Sequence, residues 1–328
     1  MWVQRKVGKG RLLFGMILTI CLLGSIAAAG STEAAADWLV GQQDATGWFP
    51  WTPGGSSTTN TQGPSGTGIL AAYLHTKNSA YLLTATDTGD YMLDPMWVSL
   101  SIYSDGDPRF ATHDPVFLEA LSQATGDSQY ADFVQTYFWD KLTTGTYGSS
   151  NNLDATGFGM AVVAGRASQG IVELSPWDLA GTAIGAHLAG EFVIRDNLMG
   201  TILAGLEATV PAGGYDVIGL AGAIYASAVT GYDLDPTVGI YASADSTADL
   251  AAILAGMTLS TNDGAWLYDS TVDSTDPTNA DTQTTAFAVA ALSALDHSGY
   301  LGQIGRGVAF IRSLQQLDGQ FLVYPGAP

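Results

Sequence analysis

The segments 215–229 (YDVIGLAGAIYASAV) and 281–295 (DTQTTAFAVAALSAL) are small and apolar almost all the way round. At helical pitch neither keeps a polar face for water, so each must be buried on every side. A chain with such helices has to wrap them in others. In 128–142, Tyr130, Phe133, Val134, Tyr137 and Phe138 recur at the spacing of one helical face, and Leu301, Ile304, Val308, Ile311 and Leu314 do the same in 299–316. Period-two alternation is scarce, and the Gly and Ala on the apolar segments suit close helix contact. The pattern predicts an all-α chain with helices at 33–43, 66–77, 79–93, 114–124, 128–142, 154–168, 177–189, 193–209, 215–229, 244–258, 281–296 and 299–316. Gly126 and Gly231 each end an apolar helix, as hairpin units require. Alternation of amphipathic and all-round apolar helices predicts an inner ring inside an outer one, an α/α toroid of about six hairpins. It fails once, because 154–168 and 177–189 both read as inner.

The first 29 residues read as a secretory signal peptide, leaving 30–328 as a single toroid domain. Arg5, Lys6, Lys9 and Arg11 precede an apolar run from Leu12 to Ile26, and Ala27-Ala28-Ala29 offers a cleavage site. Retained, the run would be a membrane anchor, so a membrane is a partner only if this segment stays uncleaved. The expected location is secreted or extracytoplasmic, the cell surface included. Cys21, the one cysteine, lies in the leader, so the exported part has no disulfide, thiolate metal site or thiol nucleophile. Losing the leader's four basic residues leaves seven Lys and Arg against 31 acidic residues, a net charge of −24. That charge argues against nucleic acid, whose binding depends on basic residues at phosphates. At 324–328 the chain stops in a loop where such a repeat would enter another helix, which reads as a truncated C-terminus.

Near that end the sequence runs Arg306-Gly307-Val308-Ala309-Phe310-Ile311, then Gln315, then Gly319-Gln320-Phe321. This resembles the QW repeat of the terpenoid cyclase and protein prenyltransferase-like toroids, with Phe321 at the tryptophan position. Trp38-Leu39, Gln43 and Gly47-Trp48 form a similar unit, and Gly264-Ala265-Trp266 resembles a third that lacks the glutamine. In such a motif the glutamine bonds free carbonyls at helix ends while the aromatic packs over it, fastening hairpins together. The resemblance implies a fold and not a reaction. The family's zinc site needs a cysteine. Its Asp-rich protonating element is approached only by Asp233-Leu234-Asp235-Pro236, which lacks the last aspartate, and its thioester needs a Cys-x-x-Gln. A polyuronate lyase would want more Arg and Lys than these seven. A terpene cyclase-like enzyme is the weakest of the inherited readings.

The long connections 44–65, 93–113, 143–153 and 259–280 all lead into inner helices, so a toroid gathers them on one rim. That rim would present Trp51, Trp97, Tyr103, Tyr147, Trp177, Tyr215 and Tyr268 as ligand-binding rings, with Asp114, Asp216 and Asp281 among its carboxylates. Rings stack on sugar faces and carboxylates accept from hydroxyls, which suits a neutral polysaccharide. Two carboxyls can also serve as acid and base across a glycosidic bond. Each residue has a plainer reading beside this one. Aspartates at helix starts are preferred N-caps, Trp48 and Trp266 belong to packing motifs, and His113 beside Asp114 suits a local hydrogen bond. Asp269, Asp273, Asp276, Asn279 and Asp281 form an oxygen-rich cluster that could hold calcium, but its spacing is not that of an EF-hand loop and an acidic solvated loop is the plainer account; no cofactor is expected. The favoured reading is an exported toroid that binds a neutral glycan or an extracellular surface partner. The alternative is a glycoside hydrolase using Asp114, Asp216 and Asp281.

Overall fold

The computed structural model describes residues 29–50, 55, 61–94, 108–148, 152–210, 214–262, 264–322 and 324–325. The segment read as a signal peptide thus lies outside the described residues, apart from Ala29. Twelve helices, no strand and four isolated bridges occur among the described residues, so the all-α class holds. The helices are α1 (Ala29–Gln42), α2 (Gln62–Thr76), α3 (Ser79–Leu93), α4 (Asp114–Thr125), a three-part α5, α6 (Ala155–Ser168), α7 (Ser175–Ala189), α8 (Phe192–Ala208), α9 (Asp216–Thr230), α10 (Thr247–Ala255), α11 (Thr282–Asp296) and α12 (Leu301–Ser313). In α5, Gln129–Val134 continues through a π-helical turn, Gln135–Trp139, into Asp140–Thr144. Every segment read as helical is helical, with ends displaced by about four residues at most. No described helix is long and apolar enough to cross a membrane. Contacts gather the chain into two compact units, one holding Ala36–Gly159 and Gly181–Leu198, the other Met160–Ala180 and Met199–Pro328.

In the first unit α2 packs on α3 and on α4, and α4 packs on α5. Glycine permits the α2–α4 approach, since a Cβ on Gly66 would lie 2.5 Å from the tip of the Phe117 ring. The hairpin turns have local causes. Lys77 at φ 60° and Gly126 at φ 77° end α2 and α4 in the left-handed conformation, and the Asn78 side chain accepts from the Ala80 N–H to start α3. The π turn in α5 inserts one residue into the helical repeat and rotates the remainder of the helix. Tyr130, Val134, Phe138, Trp139 and Leu142 are therefore the buried set, while Phe133 is half-buried and Tyr137 is 40% exposed. This corrects the simple stripe read from the sequence. Phe138 sits among Phe110, Tyr147 and Phe158 at ring separations of 5.0, 4.8 and 5.3 Å. Trp139 donates from Nε1 to buried Glu119 at 3.0 Å.

In the second unit α9 packs on α10 and α11, and α11 on α12. Thirteen of the fifteen α9 residues are buried, as its all-round apolar sequence demands. By contrast α11 buries mainly one face, through Thr284, Thr285, Ala288, Val289, Ala291 and Leu292. Ser246 caps α10 by accepting from the Asp249 N–H, and Asp281 caps α11 by accepting from the Thr284 N–H. A further apolar cluster joins Leu259, Ala265, Leu267 and Ala280 of the long loop to Phe310 and Leu314. The expectation that 154–168 is an inner helix is overturned, because from Met160 (57% exposed) onward α6 is exposed or half-buried. Its lack of charge before Arg166 imitates a buried helix, but Ala, Gly and Val tolerate water.

The two glutamine turns are built alike, each within its own unit. The Gln43 amide lies 3.0 Å from the Gly47 carbonyl oxygen, 2.9 Å from that of Thr84 and 2.8 Å from the Thr88 hydroxyl, which ties the turn to α3. Gly47 (φ 96°) and Gly319 (φ 97°) take the same left-handed bend. The Asp44 N–H donates to Trp48 O as the Gln316 N–H donates to Gln320 O. This register aligns Phe49, not Trp48, with Phe321, and Phe49 is the fully buried ring (1% exposed). The third unit bridges Thr258 to buried Trp266, whose Nε1 donates to Leu254 O at 2.8 Å; Thr258 stands where the other two have glutamine, and the turn is two residues longer.

Candidate functional site

In the second unit the start of α9 and the loop 264–280 meet through carboxylates. Tyr215 at φ 68° enters α9 in the left-handed conformation, which turns its ring outward to 44% exposure and leaves the next residue, Asp216, buried at 1%. Asp216 accepts from the Ser270 N–H at 2.9 Å on one oxygen and from the Ser270 hydroxyl on the other. Asp269, also buried, accepts from the Gly214 N–H at 3.0 Å and from the N–H and hydroxyl of Thr271. These bonds fix Tyr268 beside Tyr215 with ring centroids 6.2 Å apart and planes inclined by 51°. The result is a partly exposed aromatic pair on a rigid base.

Burial raises the Asp216 pKa; its bonds from Ser270 oppose the rise and nearby Asp269 adds to it. Burial, helped by the charge of Asp216, also raises Tyr241, whose buried hydroxyl has no hydrogen-bond partner among the described residues. Deeper in the same unit Glu173 (2% exposed) precedes α7, and the Gly219 position of α9 abuts the Glu173 carbonyl. Half-buried Trp177 meets Phe287 edge-on at 5.4 Å and 79°. Asp178 accepts from both Nε and Nη2 of Arg166, and burial still pushes its carboxyl upward.

The expected residues divide sharply. Trp51, Trp97 and Tyr103 lie outside the described residues. Tyr215, Tyr268 and Asp216 come together in the second unit. Tyr147 is a correction: it is fully buried, donates from its hydroxyl to Pro108 O at 3.1 Å and accepts from the Phe110 N–H at 3.0 Å, so its ring is core and is not offered to a ligand. Asp114 is equally buried, within the first unit. Its two oxygens accept from the N–H groups of Gly63 (3.1 Å) and Ala111 (2.7 Å), joining the start of α2 and the preceding loop to α4. Burial lifts its pKa to about 8 against those two bonds, and burial lowers neighbouring His113 to about 4. Asp281 is the N-cap of α11 and accepts from both the N–H and hydroxyl of Thr284 at 2.6 Å. In the oxygen-rich loop weighed as a calcium site, Asp273 and Asp276 each accept from the N–H and hydroxyl of the threonine two residues on. No group of three or more His, Cys, Asp or Glu placed to hold a metal occurs among the described residues.

Sequence reasoning passed over three participants. Ser270 and Tyr241 carry no motif, and only the fold brings them near Asp216. Trp38 reads as the packing aromatic of a repeat, yet with Gln42, Phe49, Pro50, Thr61 and Ser65 it lines a cavity of 260 Å³ in the first unit. The spacing of Trp38 and Gln42, one helical turn apart on α1, is the signal that would have placed both on one face. Comparison with protein families, curated proteins and solved structures finds no match for this chain.

Proposed function

We propose that the chain is an exported α/α toroid of the terpenoid cyclase and prenyltransferase-like type that binds a neutral glycan without cleaving it. The Tyr215–Tyr268 pair carries this reading: two rings, one 44% exposed, held on a base of buried carboxylate bonds. Apolar ring faces match the apolar face of a pyranose, the phenol hydroxyls can exchange hydrogen bonds with its rim, and a pair held in place loses little entropy on binding. The aspartates expected to be catalytic each accept two hydrogen bonds from the protein itself, which suits clamping better than proton transfer. Repeated inner-to-inner packing, α2 on α4 and α9 on α11, supports the toroid.

The test is titration of the purified exported chain with neutral oligosaccharides of glucose, mannose, galactose and N-acetylglucosamine, with reducing-end release measured in parallel. Binding that weakens at least about tenfold in Tyr215→Ala and Tyr268→Ala, with no release of reducing ends, is the expected outcome. Absence of binding to all of these glycans, or binding indifferent to both substitutions, would overturn it. The hydrolase reading draws on one observation, the raised pKa of Asp216 beside Asp269. It requires reducing-end release that disappears in Asp216→Asn.

A further inference from the structure

The cavity of the first unit is lined by apolar Trp38, Leu39, Phe49 and Pro50 together with polar Gln42, Thr61 and Ser65. Local hydrogen bonds hold part of this lining. Buried Gln62 accepts from the Phe49 N–H at 2.8 Å and donates to Phe49 O at 2.9 Å, while the Thr61 hydroxyl donates to the same carbonyl at 2.9 Å. The chain after the glutamine turn is thereby pinned to the first turn of α2. The side chains of Trp38, Gln42 and Ser65 make no hydrogen bond among the described residues. The lining thus carries an indole, an amide and a hydroxyl whose hydrogen-bonding capacity is unspent among the described residues.

Among the described residues no charged side chain lines the hollow, which disfavours an ion despite the acidity of the chain. At 260 Å³ it falls below the roughly 300–1,000 Å³ of drug-sized sites, so its occupant is small. A lining that mixes aromatic and apolar surface with uncharged donors and acceptors fits a ring that is apolar on its faces and hydroxylated at its edge. We propose that this cavity is a subsite for a single neutral hexose unit, with Trp38 as the stacking wall and Gln42 and Ser65 bonding the hydroxyls. It is separate from the tyrosine pair of the second unit and does not depend on that pair's role.

Saturation-transfer NMR on the purified exported chain with D-glucose, D-galactose and D-mannose tests it, with cyclohexanol as a probe that has the ring but one hydroxyl. At least one hexose is expected to bind with millimolar affinity and to compete with itself. Trp38→Ala should abolish the signal or weaken it at least tenfold. Gln42→Ala and Ser65→Ala should each weaken it about two- to tenfold, the effect of one hydrogen bond. Trp38→Phe, which keeps an apolar wall, guards against a folding defect, with circular dichroism and Tm as the check; it should retain measurable binding. Tyr215→Ala and Tyr268→Ala should leave the hexose signal unchanged even where they abolish oligosaccharide binding. The proposal fails if no hexose gives transfer, if cyclohexanol binds and the hexoses do not, or if folded Trp38→Ala binds as well as wild type.

Discussion

Gly222 lies in the interior of α9, where a Cβ would stand 2.5 Å from Trp177 Cα and 2.9 Å from Trp177 Cβ. Carbon atoms in contact settle near 3.5–4.0 Å, so alanine at 222 requires α9 and the start of α7 to part by about 1 Å. The obstruction is backbone and cannot rotate away. Overpacking of this kind costs about 1–3 kcal/mol. Against it stands the intrinsic gain from replacing a helical glycine by alanine, about 1 kcal/mol. Gly200, inside α8 of the same unit, has nothing within 4 Å of its Cβ position and receives that gain alone. Gly222→Ala should therefore be neutral to about 2 kcal/mol less stable than wild type, and Gly200→Ala about 0.5–1 kcal/mol more stable. Urea unfolding at neutral pH, extrapolated linearly and compared at equal slope, measures both. Equal stabilisation by the two substitutions would show that α9 and α7 do not approach as described.

Gln43→Leu removes an amide within reach of Gly47 O, Thr84 O and the Thr88 hydroxyl, and should cost about 1–3 kcal/mol, whereas Gln42→Leu, beside it and without such bonds among the described residues, should stay within about 0.5 kcal/mol of wild type in the same urea assay. Burial holds the Asp114 proton up to about pH 8, while an unfolded aspartate titrates near about 3.9. The folded chain then binds the extra proton across that window, so this group's stabilising contribution is complete below about pH 4 and lost as pH rises to 8; Asp114→Asn should flatten the measured profile, and an unchanged slope would refute the assignment. With a net charge of −20 over the full sequence, Tm should climb as NaCl shortens the Debye length from about 30 Å at 0.01 M to about 3 Å at 1 M, and a falling Tm in a thermal scan would contradict the dominance of like-charge repulsion.

Helix positions were legible because burial writes periodicity into a chain, and α9 could hardly be anything but a central helix. The π turn of α5 was not, since an inserted residue leaves no mark in composition; it sends Trp139 to the core and Tyr137 toward water. Tyr147 misled for a related reason. A loop position suggests exposure, but this loop folds back so that its ring completes the cluster around Phe138. In the glutamine turn, the adjacent aromatics Trp48 and Phe49 were equivalent by spacing, and only the hydrogen-bond register separates them. At the candidate site the sequence placed Asp216 at a helix start correctly, but its partner Ser270 is 54 residues away and reaches it only through the fold.

The acidity of the chain has a common structural use. The seven basic residues beyond position 29 cannot neutralise 31 carboxylates, so most carboxylates rely on water or on N–H and O–H groups of the chain. One bond pattern recurs: a carboxylate takes both the N–H and the hydroxyl of a single Ser or Thr, as Asp44 does from Thr46, Glu207 from Thr237, Asp216 from Ser270, Asp269 from Thr271 and Asp281 from Thr284. Charge-assisted bonds of this sort are stronger than neutral ones and are short in range, so they can fasten loops without cations or disulfides. The same bonds weaken the case for paired-carboxylate catalysis, because an aspartate committed to two donors in the fold has little freedom to exchange a proton with a substrate. The clamps of the second unit leave the Tyr215 ring exposed, with Tyr268 held beside it. A rigid acidic scaffold presenting an aromatic surface is the arrangement a binding protein for neutral, hydroxylated ligands needs.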